Sequence, residues 1–95
     1  MSDLKNYIKK NLIKDPQFAK EWAESEPEYQ ITRQIIALRI EKGWTQEQLA
    51  KALGTKQSTI ARIEKGNQNI TLQTLTRIAE VLDARVRIDF LPQHQ

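Results

Sequence analysis

Gln57, Ser58 and Thr59 stand in a row, followed by Arg62. Lys56 and Lys65 lie on either side, Asn67 and Asn69 just beyond, and Gln46 eleven residues before Gln57. Amides and hydroxyls of this kind add little to a core. Their chemistry is hydrogen bonding to planar polar edges and to anions. A glutamine can meet adenine with two hydrogen bonds and an arginine can do the same with guanine; serine and threonine are more tolerant, and a threonine methyl can rest on the thymine methyl. Lysine and asparagine suit phosphate oxygens, which position a protein on a duplex without reading its sequence. Gln46 opens a helix, whose amide end also favours phosphate. The pattern points to contact with double-stranded DNA.

Catalytic and metal chemistry find no support. The 95-residue chain has no cysteine and one histidine, His94, beside the C-terminus. Without a nucleophile, a base or a ligand cluster, neither an enzyme nor a metal or other cofactor is expected. Glu47 and Glu64 read as surface and scaffold groups. The net charge is +3, and its distribution says more than its size. Residues 44–70 hold four Lys/Arg against two Asp/Glu, while residues 1–43 hold eight against seven and 71–95 three against three. The excess is largest where nucleic acid would have to be met. No apolar run approaches the roughly 20 residues that cross a bilayer. The opening MSDLKNYIKKNLIKD is amphipathic and basic, but glutamates soon follow, so a membrane partner is not expected. A bacterial, cytoplasmic protein is.

Helical periodicity supplies the elements that must hold these side chains. Leu4, Ile8 and Leu12 form one stripe, with Tyr7 beside it. Asp15-Pro16 restarts the chain with a cap and a first-turn proline, and Phe18 and Trp22 follow, four apart. Ser25 and Glu28 have capping-box spacing ahead of a helix from Pro27 to about Lys42, with Ile31, Ile35 and Leu38 inward, Ile36 and Ile40 off that line, and Gly43 as a left-handed stop. Thr45 and Gln48 repeat the capping-box spacing before Leu49, Ala50 and Leu53. Gly54 ends that helix. The next starts near Gln57, buries Ile60 and Ile63 and stops at Gly66. Thr71 caps a last helix with Leu72, Leu75, Ile78, Ala79 and Leu82 inward. Trp44 reads as a core anchor at a helix junction. Two short helices, a glycine turn and small Ala50 at their closest approach make a helix-turn-helix, whose second helix meets base edges with its first residues.

Beyond residue 83 the period changes to two. Val86, Ile88 and Phe90 alternate with Arg85, Arg87 and Asp89, which predicts a strand ended by Pro92. With no second strand in view, its edge and apolar face are best satisfied by the same strand of a second copy across a twofold axis. The alternative is an extended tail lying against its own helices.

The stretch "TQEQLAKALGTKQSTIARIEKG" resembles the helix-turn-helix of the Xre/Cro family of phage and bacterial repressors. The matching features are the Thr-Gln-x-x-Leu-Ala opening, the central glycine, the Gln-Ser pair and the Ile-x-x-Ile-Glu-x-Gly close. The resemblance covers about residues 31–83. It implies an all-α, lambda-repressor-like five-helix domain, an operator DNA partner and a homodimer. It departs from the family at Lys56, where a capping Ser or Thr is usual, and at Ile70, where proline is common. The N-terminal segment, this domain and the terminal strand together resemble HigA-type antitoxins, which neutralise an RNA-cleaving toxin of RelE-like fold and repress their own operon. That resemblance implies a cognate toxin as partner. The acidic cluster Glu21, Glu24, Glu26 and Glu28, with Phe18 and Trp22 beside it, could face a basic toxin; equally, the glutamates could be a solvated helix end and the two rings could close the domain core. Residues 1–26 thus read as an N-terminal helical extension, 27–83 as the DNA-binding domain, and 84–95 as a dimerisation strand and tail. A repressor with no toxin partner is the other functional reading.

Overall fold

A computed structural model describes residues 10–11, 14–24, 26–66 and 69–93. The stripe of Leu4, Ile8 and Leu12, together with Tyr7, Ser25, Asn67 and His94, lies outside the described residues. From residue 16 to residue 81 run five helices: α1 (Pro16–Glu24), α2 (Pro27–Glu41), α3 (Gln46–Leu53), α4 (Gln57–Lys65) and α5 (Leu72–Val81). Four lie within residues 27–83, and α1 precedes them. Among the described residues no helix is long and apolar enough to cross a membrane.

Local chemistry sets most of the boundaries. Asp15 Oδ1 accepts from the amides of Gln17 and Phe18 at 3.0 and 3.2 Å, so the Asp-Pro start of α1 is capped as its sequence predicts. At α2 the N-cap is Glu26, which makes no side-chain cap bond; Pro27 supplies the pre-formed first turn instead. The capping box at α3 forms in full: Thr45 Oγ1 accepts from the Gln48 amide at 3.1 Å, and Gln48 Oε1 accepts from the Thr45 amide at 2.8 Å. Gly43, Gly54 and Gly66 follow α2, α3 and α4 with φ of 79°, 72° and 79°, the left-handed region that a side chain would strain. Thr71 caps α5 by accepting from the Thr74 amide.

The core is assembled by α2 to α5. Ile35, Leu49, Ala50, Leu53, Ile60, Ile63, Ile78 and Leu82 are buried together, with Ile31, Leu38, Trp44, Ile70 and Leu75 packed on their margin. Ala50 is buried on α3, and α3 and α4 meet more extensively than any other pair of helices. Leu72 departs from its expected inward place and is 57% exposed. It opens α5 at the edge of the stripe defined by Leu75, Ile78 and Leu82, where nothing covers it.

The predicted C-terminal strand is not present: residues 84–93 have no regular structure, and no strand occurs among the described residues. Alternation allows an extended chain, but a strand exists only when a neighbour completes its ladder, and no described segment of this chain offers one. Val86 and Ile88 instead line a groove of about 170 Å³ with Ile31, Ile35 and Leu38 of α2 and Leu75 and Ile78 of α5. Phe90 is 92% exposed, beyond the reach of that groove.

Candidate nucleic-acid interface

The residues singled out by their chemistry gather around the start of α4. Ile60 and Ile63 bury its underside, which leaves Gln57, Ser58 and Arg62 exposed on the outer face, with Lys56 at the N-cap and Lys65 in the last turn. Thr59 is half-buried and turns toward a cleft between α4 and α5. Asn69 is exposed and edges the same cleft. Lys56 makes no side-chain cap bond, as expected of a residue that cannot accept one. Its charge therefore stays at the amide end of α4, where it adds to the positive end of the helix dipole.

The Gln46 amide is engaged on both sides. Its Nε2 donates to Glu64 Oε1 at 2.9 Å, and its Oε1 accepts from Gln57 Nε2 at 2.6 Å. The N-terminal side chain of α3 thus holds the first side chain of α4. Beside them lies a broad, open recess lined by Arg39, Thr45, Gln46, Glu47 and Gln57.

Behind this pair sits a buried ion pair that the sequence analysis missed. Arg39 Nε and Nη2 donate to Glu64 Oε2 and Oε1 at 2.7 and 3.1 Å, and Arg39 Nη1 donates to the Trp44 carbonyl at 2.8 Å. The Glu64 side chain is only 5% exposed and that of Arg39 only 14%, so neither is the surface group its charge suggests. A signal was available. Glu64 stands four residues after Ile60 and Arg39 four after Ile35, so each falls on an inward stripe where a charge needs a partner. A relay results: α2 fixes Glu64 on α4, Glu64 fixes Gln46 on α3, and Gln46 fixes the Gln57 amide.

Two contacts steady the approach to the site. Lys42 Nζ lies 4.8 Å from the Trp44 ring centroid and pairs with Asp83 at 2.7 Å, joining the α2–α3 turn to the end of α5. Trp44 is half-buried against the core, as its anchor reading expects. The aromatic residues of α1 do not join that core. Phe18 stacks on Trp22 at 6.0 Å, Trp22 meets Tyr29 edge-on at 6.5 Å, and no residue of α1 is buried. Glu24, Glu26 and Glu28 are exposed near this ladder, and Glu21 accepts from Gln17 Nε2.

Comparison with known proteins bears on what this arrangement serves. The family described as Helix-turn-helix matches residues 35–89. Antitoxin HigA1 of Mycobacterium tuberculosis is 35% identical over 86 residues, which are 90% of this chain and 58% of that protein. Antitoxin HipB of Escherichia coli K12 is 39% identical over 54 residues, 57% of this chain and 61% of HipB. An uncharacterized HTH-type transcriptional regulator of Archaeoglobus fulgidus is 40% identical over 57 residues, 60% of this chain and 81% of that protein. The chain thus spans about three fifths of the length of the two antitoxins. No solved structure gives a significant match.

Proposed function

The chain belongs to the helix-turn-helix family, and from that premise we propose that it is a sequence-specific DNA-binding antitoxin of the bacterial cytoplasm that represses its own operon and neutralises an RNA-cleaving toxin. The observation that carries the DNA half is the start of α4: Gln57, Ser58 and Arg62 stand exposed on a helix whose underside is locked in the core, and the Gln57 amide is held by Gln46. Gln57, Ser58 and Arg62 meet base edges, with Thr59 at their inner margin; Lys56, Lys65, Asn67 and Asn69 meet phosphates. Gln46 acts mainly by orienting Gln57. The protein works by binding rather than catalysis.

Two copies read a palindromic operator with half-sites one helical turn, roughly 34 Å, apart. The exposed apolar residues Val86, Ile88 and Phe90 contribute to the contact between copies. Residues 27–83 form the DNA-binding unit, and the extension before them serves the toxin. There Phe18 and Trp22 offer rings outside the core, beside the carboxylates of Glu21 and Glu24, a combination suited to a basic protein surface. The similarity to HigA1 across 90% of the chain supports the antitoxin reading. A repressor without a toxin draws instead on the similarity to the archaeal regulator.

Selection of duplexes from a random pool, followed by footprinting, tests the DNA half. The double variant Gln57→Ala/Arg62→Ala should lose the selected site while keeping its helical spectrum, since both residues are exposed. Retention of the same footprint at equal affinity would remove these residues from the reading surface. For the toxin half, the neighbouring gene product is co-expressed and captured. Deleting residues 1–25 should weaken capture and leave DNA binding; unaltered toxin inhibition by that fragment would count against the assignment.

A further inference from the structure

We propose that Arg77, on α5 and away from the exposed face of α4, is a positioning residue for DNA reading; the inference rests on the DNA half of the proposed function. Arg77 Nη2 donates to the carbonyl of Leu53, the last residue of α3, at 2.8 Å. The final carbonyls of a helix lack partners within it. At α3 the Ala50 and Lys51 carbonyls are taken by the amides of Gly54 and Thr55 in the glycine turn. The Leu53 carbonyl is taken from outside by a cation, which also suits the negative end of the helix dipole. Helix α3 is therefore pinned at both ends: Gln46 ties its start to α4, and Arg77 ties its end to α5.

Packing locks the underside of α4, but open space flanks the turn that leads into it. A cleft of about 220 Å³ lies between α4 and α5, lined by Thr55, Thr59, Ile60, Thr71, Thr74 and Arg77 among others. Three residues, 54–56, separate α3 from α4, and Lys56 offers α4 no side-chain cap. The placement of that turn therefore depends on what holds the end of α3. The Arg77 hydrogen bond holds that end. Base contacts demand fixed placement, whereas phosphate contacts tolerate small shifts. Loss of the bond should therefore reduce discrimination more than general affinity for DNA.

The test uses the full-length chain with Arg77→Met, which keeps the length of the stem but not the donor, and Arg77→Lys, which keeps a charged donor. Affinity for the duplex selected by the wild type is compared with affinity for a scrambled duplex at the same salt concentration, alongside the 13C shift of the Leu53 carbonyl. In Arg77→Met the ratio of selected to scrambled affinity should fall about tenfold, the scale of one hydrogen bond from a charged group, and the Leu53 carbonyl signal should move. Arg77→Lys should recover most of both. A wild-type ratio in Arg77→Met overturns the proposal. So does an equal loss on both duplexes that Arg77→Lys does not repair, the mark of a general structural defect. Should Arg77→Met not fold, an Arg77→Lys protein with wild-type discrimination but no hydrogen-bond signature at Leu53 overturns it as well. A wild-type chain that selects no sequence overturns the DNA reading itself and this inference with it.

Discussion

Removing the Glu64 carboxylate tests how the reading surface is held. Glu64→Ala deletes two contacts from Arg39, at 2.7 and 3.1 Å, and one from Gln46 at 2.9 Å. The Arg39 guanidinium then keeps the Trp44 carbonyl but loses its counter-charge in a place where only 14% of its side chain meets water. Breaking a buried ion pair from one side costs about 3–5 kcal/mol, since the remaining charge is left uncompensated. A domain of this size holds roughly 5–15 kcal/mol in all. At about 4–8 °C per kcal/mol the midpoint of thermal unfolding should fall by on the order of 20 °C. Urea and thermal unfolding followed by circular dichroism measure both quantities. The double variant Arg39→Met/Glu64→Met removes both charges and fills their space with apolar groups. It should return to within about 1 kcal/mol of the wild type. It does not restore an acceptor to Gln46, so the side chain that holds Gln57 loses its own anchor, and discrimination at the base Gln57 is proposed to meet should weaken by roughly 1 kcal/mol, a fraction of a good bidentate pair. A Glu64→Ala protein within about 1 kcal/mol of wild-type stability would refute the argument about the buried pair. A double variant with unchanged base preference would refute the relay.

Lys56→Ser should give α4 the side-chain cap it lacks and stabilise the fold by about 1 kcal/mol, while lowering the salt dependence of DNA binding by roughly 0.9 in log–log slope if Lys56 meets a phosphate; an unchanged slope would place Lys56 off the backbone. Asp83 follows α5 with φ of 60°, a left-handed position for a residue with a side chain. Asp83→Gly relieves strain of about 1 kcal/mol and gives up an ion pair with Lys42 that is worth less, because Asp83 is 79% exposed. The variant should therefore unfold at slightly higher urea concentration, and a clear drop would show that the ion pair outweighs the strain.

Much of the fold could be read residue by residue. Thr45, Gln48, Gly54, Gly66 and Thr71 act within a turn or two of themselves, so their caps and stops needed no knowledge of the rest of the chain. Leu49, Ala50, Leu53, Ile60 and Ile63 lie inward as their spacing requires, and this alone leaves Gln57, Ser58 and Arg62 facing out. Other features depend on what the chain brings together. Arg39 and Glu64 each fall on an inward stripe, but they stand 25 residues apart, and only the packing of α2 on α4 makes them each other's partner. Nothing in the sequence ties the Gln46 amide to Glu64 and Gln57, and Arg77 is unremarkable until α5 delivers it to the end of α3. The stretch from Val86 to Phe90 failed as a predicted strand for the same reason. Its alternation describes which faces are apolar, but a strand is a relation between two chains or segments, and only the assembled structure says whether the second is there. Composition and spacing thus determined which side chains could touch DNA and which must be buried. Tertiary packing decided how those candidates are held, because hydrogen bonds and ion pairs between distant residues exist only once the helices meet.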